Sequence, residues 1–183
     1  MNKTLFTLVI VVLACAWLGA ASRAEDPYAL AASGGIVIGL AAPGDVTCIG
    51  GEPTGWPLCS DGTQRIIWRG FTGTMLMQEV TGAAAEYLAD VWVTPGSCIL
   101  DATYSGPCWG TFEAQVPDGG KWTGTWNGRL DFAMFGGTLR MVGTGSGSPT
   151  VEGLHIQVDA YSPGSGDETA AMPFTARVFQ VWR

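Results

Sequence analysis

Basic residues are scarce: nine Lys and Arg stand against sixteen Asp and Glu, and His155 is the only histidine. Few and scattered positive charges give no footprint for phosphate backbones or anionic lipid, which argues against nucleic acid and membrane-surface partners. A single histidine leaves one imidazole for base catalysis or metal ligation. Recognisable catalytic and cofactor motifs are missing too. Gly143-Thr144-Gly145-Ser146-Gly147 puts Thr144 where a nucleophile elbow needs glycine, and Ser148 where a dinucleotide fingerprint needs one. P-loop, EF-hand and zinc signatures are absent, so no cofactor, metal or catalytic residue is assigned. Asn127-Gly128-Arg129 fails as a glycosylation sequon at its third position.

Long apolar runs are also few, and the longest comes first. Lys3 precedes the apolar stretch Leu5 to Leu13, and small residues lead to Ala21-Ser22-Arg23-Ala24. That order marks a secretory signal peptide over residues 1–24, with cleavage after Ala24. The stretch is shorter than the roughly 20 residues a spanning helix needs. An uncleaved anchor and lipid attachment at Cys15 are the alternatives. Cleavage leaves residues 25–183 as one exported domain, secreted or periplasmic and without a membrane partner. Lys3 and Arg23 go with the leader, so seven basic residues face sixteen acidic ones, a net charge of −9.

Four cysteines remain beyond the leader: Cys48, Cys59, Cys98 and Cys108. An even number in an exported chain implies two disulfides. Three pairings are open, and the local ones, Cys48–Cys59 and Cys98–Cys108, close the shortest loops. The spacings are too wide for a zinc site.

Glycine is abundant, 27 of 183 residues, and spread through the chain, which signals many turns. The central stretch Gly119 to Val158 carries extended segments at Lys121 to Phe132, Gly137 to Gly143 and Val151 to Ala160. Gly-rich turns separate them, and apolar residues alternate within them. Further strands are expected at Ile36 to Leu40, Thr63 to Phe71, Gly73 to Val80, Tyr87 to Val93, Trp109 to Val116 and Phe174 to Trp182. The two strands meeting near Gly70 are joined or bent there, one helical turn is placed before Tyr87, and Pro95-Gly96 closes the next strand. Residues 25–35 are expected to be a mobile lead-in, and 45–62 and 98–108 to be disulfide-pinned loops. The polar segment Ser162 to Met172 is expected to be an exposed connection. Gly-Thr recurs at 62, 73, 110, 124, 137 and 143, as suits tight bends in a curved sheet. The expected fold is all-β, a single antiparallel barrel in a meander of about eight strands, with a sandwich as the alternative.

Trp122 and Trp126 share one strand face with Gly124 between them, so they could stack on a flat ligand or fill the core. Arg129 and Asp131 lie on the opposite face. His155 shares a face with Gln157 and Asp159, which is solvent in a two-layer fold and a lined cavity in a barrel turned inside out. Trp122, Trp126, Arg129, Asp131 and His155 are the candidate ligand contacts. The runs W-T-G-T-W-N-G-R-L-D-F, G-T-L-R-M-V-G-T-G-S-G and V-E-G-L-H-I-Q-V-D resemble small secreted β-barrels of the calycin or allene-oxide-cyclase-like kind over residues 63–183. That resemblance implies a central cavity and a small apolar ligand, or more rarely an isomerisation. The leading expectation is non-catalytic binding of a small apolar or glycan ligand. A cavity enzyme, isomerase or hydrolase, using His155 and a carboxylate is one alternative; a structural or protein-interaction domain is the other.

Overall fold

A computed structural model describes residues 29–55, 58–60, 65–167 and 169–181. The expected leader, Trp56 and Trp182 lie outside the described residues. Eight strands close into an antiparallel barrel: β1 (Leu30–Ala42), β5 (Ile66–Thr81), β6 (Val91–Leu100), β7 (Ser105–Gln115), β8 (Lys121–Asp131), β9 (Gly136–Ser146), β10 (Leu154–Ser162) and β11 (Met172–Gln180). Strands β5 to β11 form a meander in sequence order, and β1 closes the ring by pairing with both β11 and β5. A ninth strand, β2 (Asp45–Cys48), extends the sheet along the start of β5. β3 (Pro53–Gly55) and β4 (Leu58–Cys59) pair as a small separate hairpin. The barrel expected from the glycine-punctuated alternation is present.

Alternation decides what faces inward. Along β8, Trp122, Trp126 and Leu130 are buried while Lys121, Thr125, Asn127 and Arg129 are exposed. The inner surface is therefore apolar and the outer wall carries the charges, including the ion pairs Lys121–Glu113 and Arg140–Asp159. This is the reverse of a lipid-facing barrel, whose outer band is apolar. No helix among the described residues is long and apolar enough to cross a membrane. Both local disulfides are formed, Cys48–Cys59 and Cys98–Cys108, as suits an oxidising, extracellular-type environment.

Several boundaries differ from the sequence expectation, each for a local reason. Residues 30–35 are strand rather than lead-in, because small residues let β1 lie close to its neighbours. A Cβ on Gly34 would come within 2.9 Å of the Phe174 ring. The segments on either side of Gly70 are one strand, β5, bent by a bulge at Gly70 (φ +64°). The extra residue switches the inward set from Ile66 and Trp68 to Phe71, Met75 and Met77. A second irregularity at Glu79 (φ 51°) ends that alternation. β6 begins at Val91 and runs through Pro95-Gly96 to Leu100 instead of stopping there. Pro95 is tolerated because the β6–β7 ladder has no registered pair at Thr94 or Pro95. Cys98 and Cys108 consequently face each other across β6 and β7 as direct partners, not across a loop. The expected helical turn is a 3₁₀ turn at Ala85–Tyr87.

Candidate functional site

The two ends of the barrel differ. At one end the segment between β5 and β6 folds over the opening, burying Ala84, Leu88 and Ala89. Two inner tryptophans hold it there. Trp122 Nε1 donates to the Tyr87 carbonyl at 2.7 Å, and Trp92 Nε1 donates to the Ala89 carbonyl at 2.8 Å. Each indole thus satisfies its buried donor on backbone that has left the ladder. Val116 and Val151 are also buried, and this end is closed.

At the opposite end the interior opens into a cavity of about 620 Å³, within the range of about 300–1,000 Å³ usual for ligand clefts. Five aromatic residues line it: Trp68, Phe71, Trp126, Phe132 and Phe135. Trp68 is the hub, with ring centroids 4.5 Å from Phe71 and 5.5 Å from Phe132, and Phe71 lies 6.2 Å from Trp126. Trp68 Nε1 donates to the Pro43 carbonyl and Trp126 Nε1 to the Pro95 carbonyl, which orients both indoles. Ile36, Ile38, Leu40 and Met75 supply an aliphatic wall.

Glycines make room for the rings. Added Cβ atoms on Gly96 and Gly110 would lie 2.4 and 2.7 Å from the Trp126 indole. Phe112 lies in the same way over Gly124 and Gly143. The Gly-Thr repeat now has a meaning at 73, 110, 124 and 143: Gly faces the barrel interior and Thr the outer wall.

The mouth is built from one strand and two loops. β1 is registered with β11 only as far as Ile36, whereas its pairing with β5 continues to Ala42. Val37 to Leu40 therefore border the opening, and Leu40 is 55% exposed. Opposite lie the β8–β9 turn, with Phe132 and Phe135, and the β10–β11 connection, with Thr169 and Ala170. The Met134 carbonyl joins these two loops by accepting from the Ser165 and Gly166 amides. The connection expected to be an ordinary exposed loop thus forms part of the rim.

Polar groups in the lining are few. Thr94 is buried at the cavity wall, and no hydrogen bond from its hydroxyl is present among the described residues. Asp131 is the only ionisable lining residue among those described. Its Oδ1 accepts from the Ala133 and Met134 amides at 3.0 and 2.9 Å, and it forms no ion pair among the described residues. Asp167 stands one step behind the rim, where its Oδ1 accepts the Thr169 hydroxyl at 2.7 Å. That bond, with the Thr169 amide, holds the Asp167 carboxyl below its ordinary range.

The candidate contacts are therefore divided. Trp126 and Asp131 line the cavity; Trp122, Arg129 and His155 do not. Trp122 is fully buried at the closed end, so the two indoles form no joint stacking platform. Arg129 is on the outer wall, bonded to Ser105 Oγ at 3.3 Å and 3.7 Å from Asp101. His155 is half-buried on that wall and stacks on Phe179 at 5.8 Å. No group of three or more His, Cys, Asp and Glu suited to a metal occurs among the described residues. Trp68, Phe71, Phe132 and Phe135 escaped the sequence reading because β5 and the β8–β9 turn, which carry them, are far apart in the chain. The one available signal was aromatic density just beside glycine. No family model matches the chain, and neither curated proteins nor solved structures give a match.

Proposed function

We propose that this protein is an exported binding protein that houses a small apolar molecule in the open end of its barrel without transforming it. The observation that carries this reading is the aromatic cavity of about 620 Å³ with Trp126 at its wall. An open apolar cavity beside a densely packed closed end is not needed for stability, since interiors of this kind are otherwise filled to near-crystal density. The reading also agrees with what the resemblance to calycin-like and allene-oxide-cyclase-like barrels implies. A glycan reading has less support. Its platform was to be Trp122 with Trp126, and the exposed described tryptophan is instead Trp109 on the outer wall, at 45%. An enzyme using His155 has less support, because that residue is half-buried on the outer wall and is not among those lining the cavity.

The test uses a neutral apolar reporter, N-phenyl-1-naphthylamine, whose emission rises on entering an apolar site. The native protein is expected to bind it stoichiometrically. Ile38→Trp, which grows a ring into the cavity from the half-buried wall of β1, is expected to weaken binding by about tenfold through lost volume. An absence of any saturable signal with the native protein would refute the reading.

A further inference from the structure

We infer that the ligand carries one neutral oxygen, a hydroxyl or a carbonyl, on the end of its apolar body that enters the barrel first, and that Thr94 bonds it there. This inference rests on the cavity reading above and adds a polar anchor to it. Apart from the indoles, four polar residues border the cavity among those described: Gln78, Thr94, Asp131 and Thr169. Gln78 and Thr169 are exposed and Asp131 is half-buried, whereas Thr94 is 1% exposed. Thr94 faces inward on β6 between Trp92 and Gly96. Trp92 is tied to the closed-end segment through the Ala89 carbonyl, and Gly96 lies against the Trp126 indole. Thr94 thus takes the second inward position from the closed end.

Its direct partner on β5 is Gly73, which also lines the cavity, and a Cβ there would come within 2.9 Å of the Thr94 hydroxyl oxygen. That oxygen therefore lies on the inner side of the sheet, and glycine leaves it uncovered. It has no hydrogen-bond partner among the described residues. Buried hydroxyls ordinarily find one, because an unpaired polar group has lost its hydration for nothing in return. The nearby indole donors are already engaged, Trp68 Nε1 with the Pro43 carbonyl and Trp126 Nε1 with the Pro95 carbonyl. An oxygen carried inward by a ligand would meet one buried partner, able to donate or to accept. A charged end group is disfavoured. No Lys, Arg or His lines the cavity among the described residues, so a carboxylate at that depth would lack a counter-charge, and an ammonium would meet only a hydroxyl. A plain hydrocarbon would fill the same space but leave the hydroxyl unpaired.

The experiment is calorimetric titration of the disulfide-bonded protein at neutral pH with ligands that share one body: butylbenzene, 4-phenylbutan-1-ol, 4-phenylbutan-2-one and 4-phenylbutanoate. An oxygenated ligand loses hydration on entry, so the change on substitution is more informative than the native affinity alone. Thr94→Val keeps the side chain's shape and removes its hydroxyl. It is expected to weaken the alcohol and the ketone by about fivefold to tenfold while leaving butylbenzene within about twofold. Thr94→Ser, which retains a hydroxyl, is expected to keep the ratio of oxygenated ligand to hydrocarbon near that of the native protein. The carboxylate is expected to bind the native protein more weakly than the alcohol or the ketone. Urea unfolding without ligand adds a second readout. Thr94→Val should be at least as stable as the native protein, because it removes an unpaired polar group. Unselective weakening, no weakening, a destabilised valine variant or a preference for the carboxylate would each overturn the anchor while leaving the cavity reading standing. Failure of all four ligands to bind the native protein would overturn both.

Discussion

A glycine next to a large ring is the repeated unit of this interior. Gly96 and Gly110 are direct partners on β6 and β7, and the Trp126 indole lies across both. Without side chains there, the ring contacts backbone, and its Nε1 reaches the Pro95 carbonyl at 3.3 Å. Adding one methyl group should therefore have effects beyond its size. In Gly96→Ala the new Cβ would stand 2.4 Å from Trp126 and 2.9 Å from the Trp109 carbonyl, so the indole must move into the cavity. We expect a loss of about 1–3 kcal/mol, the usual cost of overpacking, measured by urea unfolding. The displaced ring should also weaken the naphthylamine reporter. A variant as stable as the native protein, with unchanged binding, would show that the glycine is dispensable.

At the level of strands, two bulges and one crosslink shape the barrel. The Gly70 bulge lets a single long strand present Trp68 and Phe71 to the same interior although they are three residues apart. Strict alternation would have put one of them outside. The Cys98–Cys108 bond crosses β6 and β7 directly beyond the point where Pro95 interrupts their ladder. The bond thus clamps the last registered pair of a ladder that is interrupted at Thr94 and Pro95. Replacing both cysteines by alanine should cost about 3 kcal/mol from loop entropy, plus whatever the buried space left behind adds. The Cys48–Cys59 bond ties only the β2 extension and the small hairpin to each other. Its removal should leave the closed barrel's melting transition less affected than removal of the first. Thermal unfolding of the two double variants side by side settles the order.

For the molecule as a whole, charge sits on turns and the outer wall, and this sets its response to acid. Asp101 is lowered chiefly by the Thr103 hydroxyl and amide, Asp118 by the Thr150 hydroxyl and the Gly120 amide, and Asp167 by Thr169. A carboxylate lowered in the folded state contributes stability above its unfolded value of 3.8 and loses it as pH falls through the lower folded value. The melting temperature should therefore be level from about pH 7 to 5 and decline only below about pH 4. All three groups are exposed, so the decline should be shallow. A steep loss already near pH 6 would point instead to a buried titrating group.

Much of the architecture was legible in the residues. Alternation between glycine-rich turns specified strands, because burying one face of a pleated chain requires a period of two; β8 matches its expected start and ends one residue earlier. Cysteine number and spacing were enough to propose the two pairs that form. The expected leader, like Trp56 and Trp182, lies outside the described residues. Less could be read where a bulge resets the alternation, as at Gly70 and Glu79, since one inserted residue reverses every following side chain. Which of Trp122 and Trp126 borders a cavity was also beyond local pattern, because it depends on which end of the barrel the β5–β6 segment covers.

The sequence by itself determined that this chain forms short antiparallel strands with one apolar face, and of three cysteine pairings it favoured the two local ones. Those properties follow from neighbours along the chain: alternation, turn residues and cysteine separation. Only the tertiary structure decided that the ring closes through β1, and that Trp122 plugs one end while Trp126 walls a cavity at the other. These depend on contacts between strands distant in sequence, where closure curvature and the fit of rings over glycines fix which space is filled and which is left open.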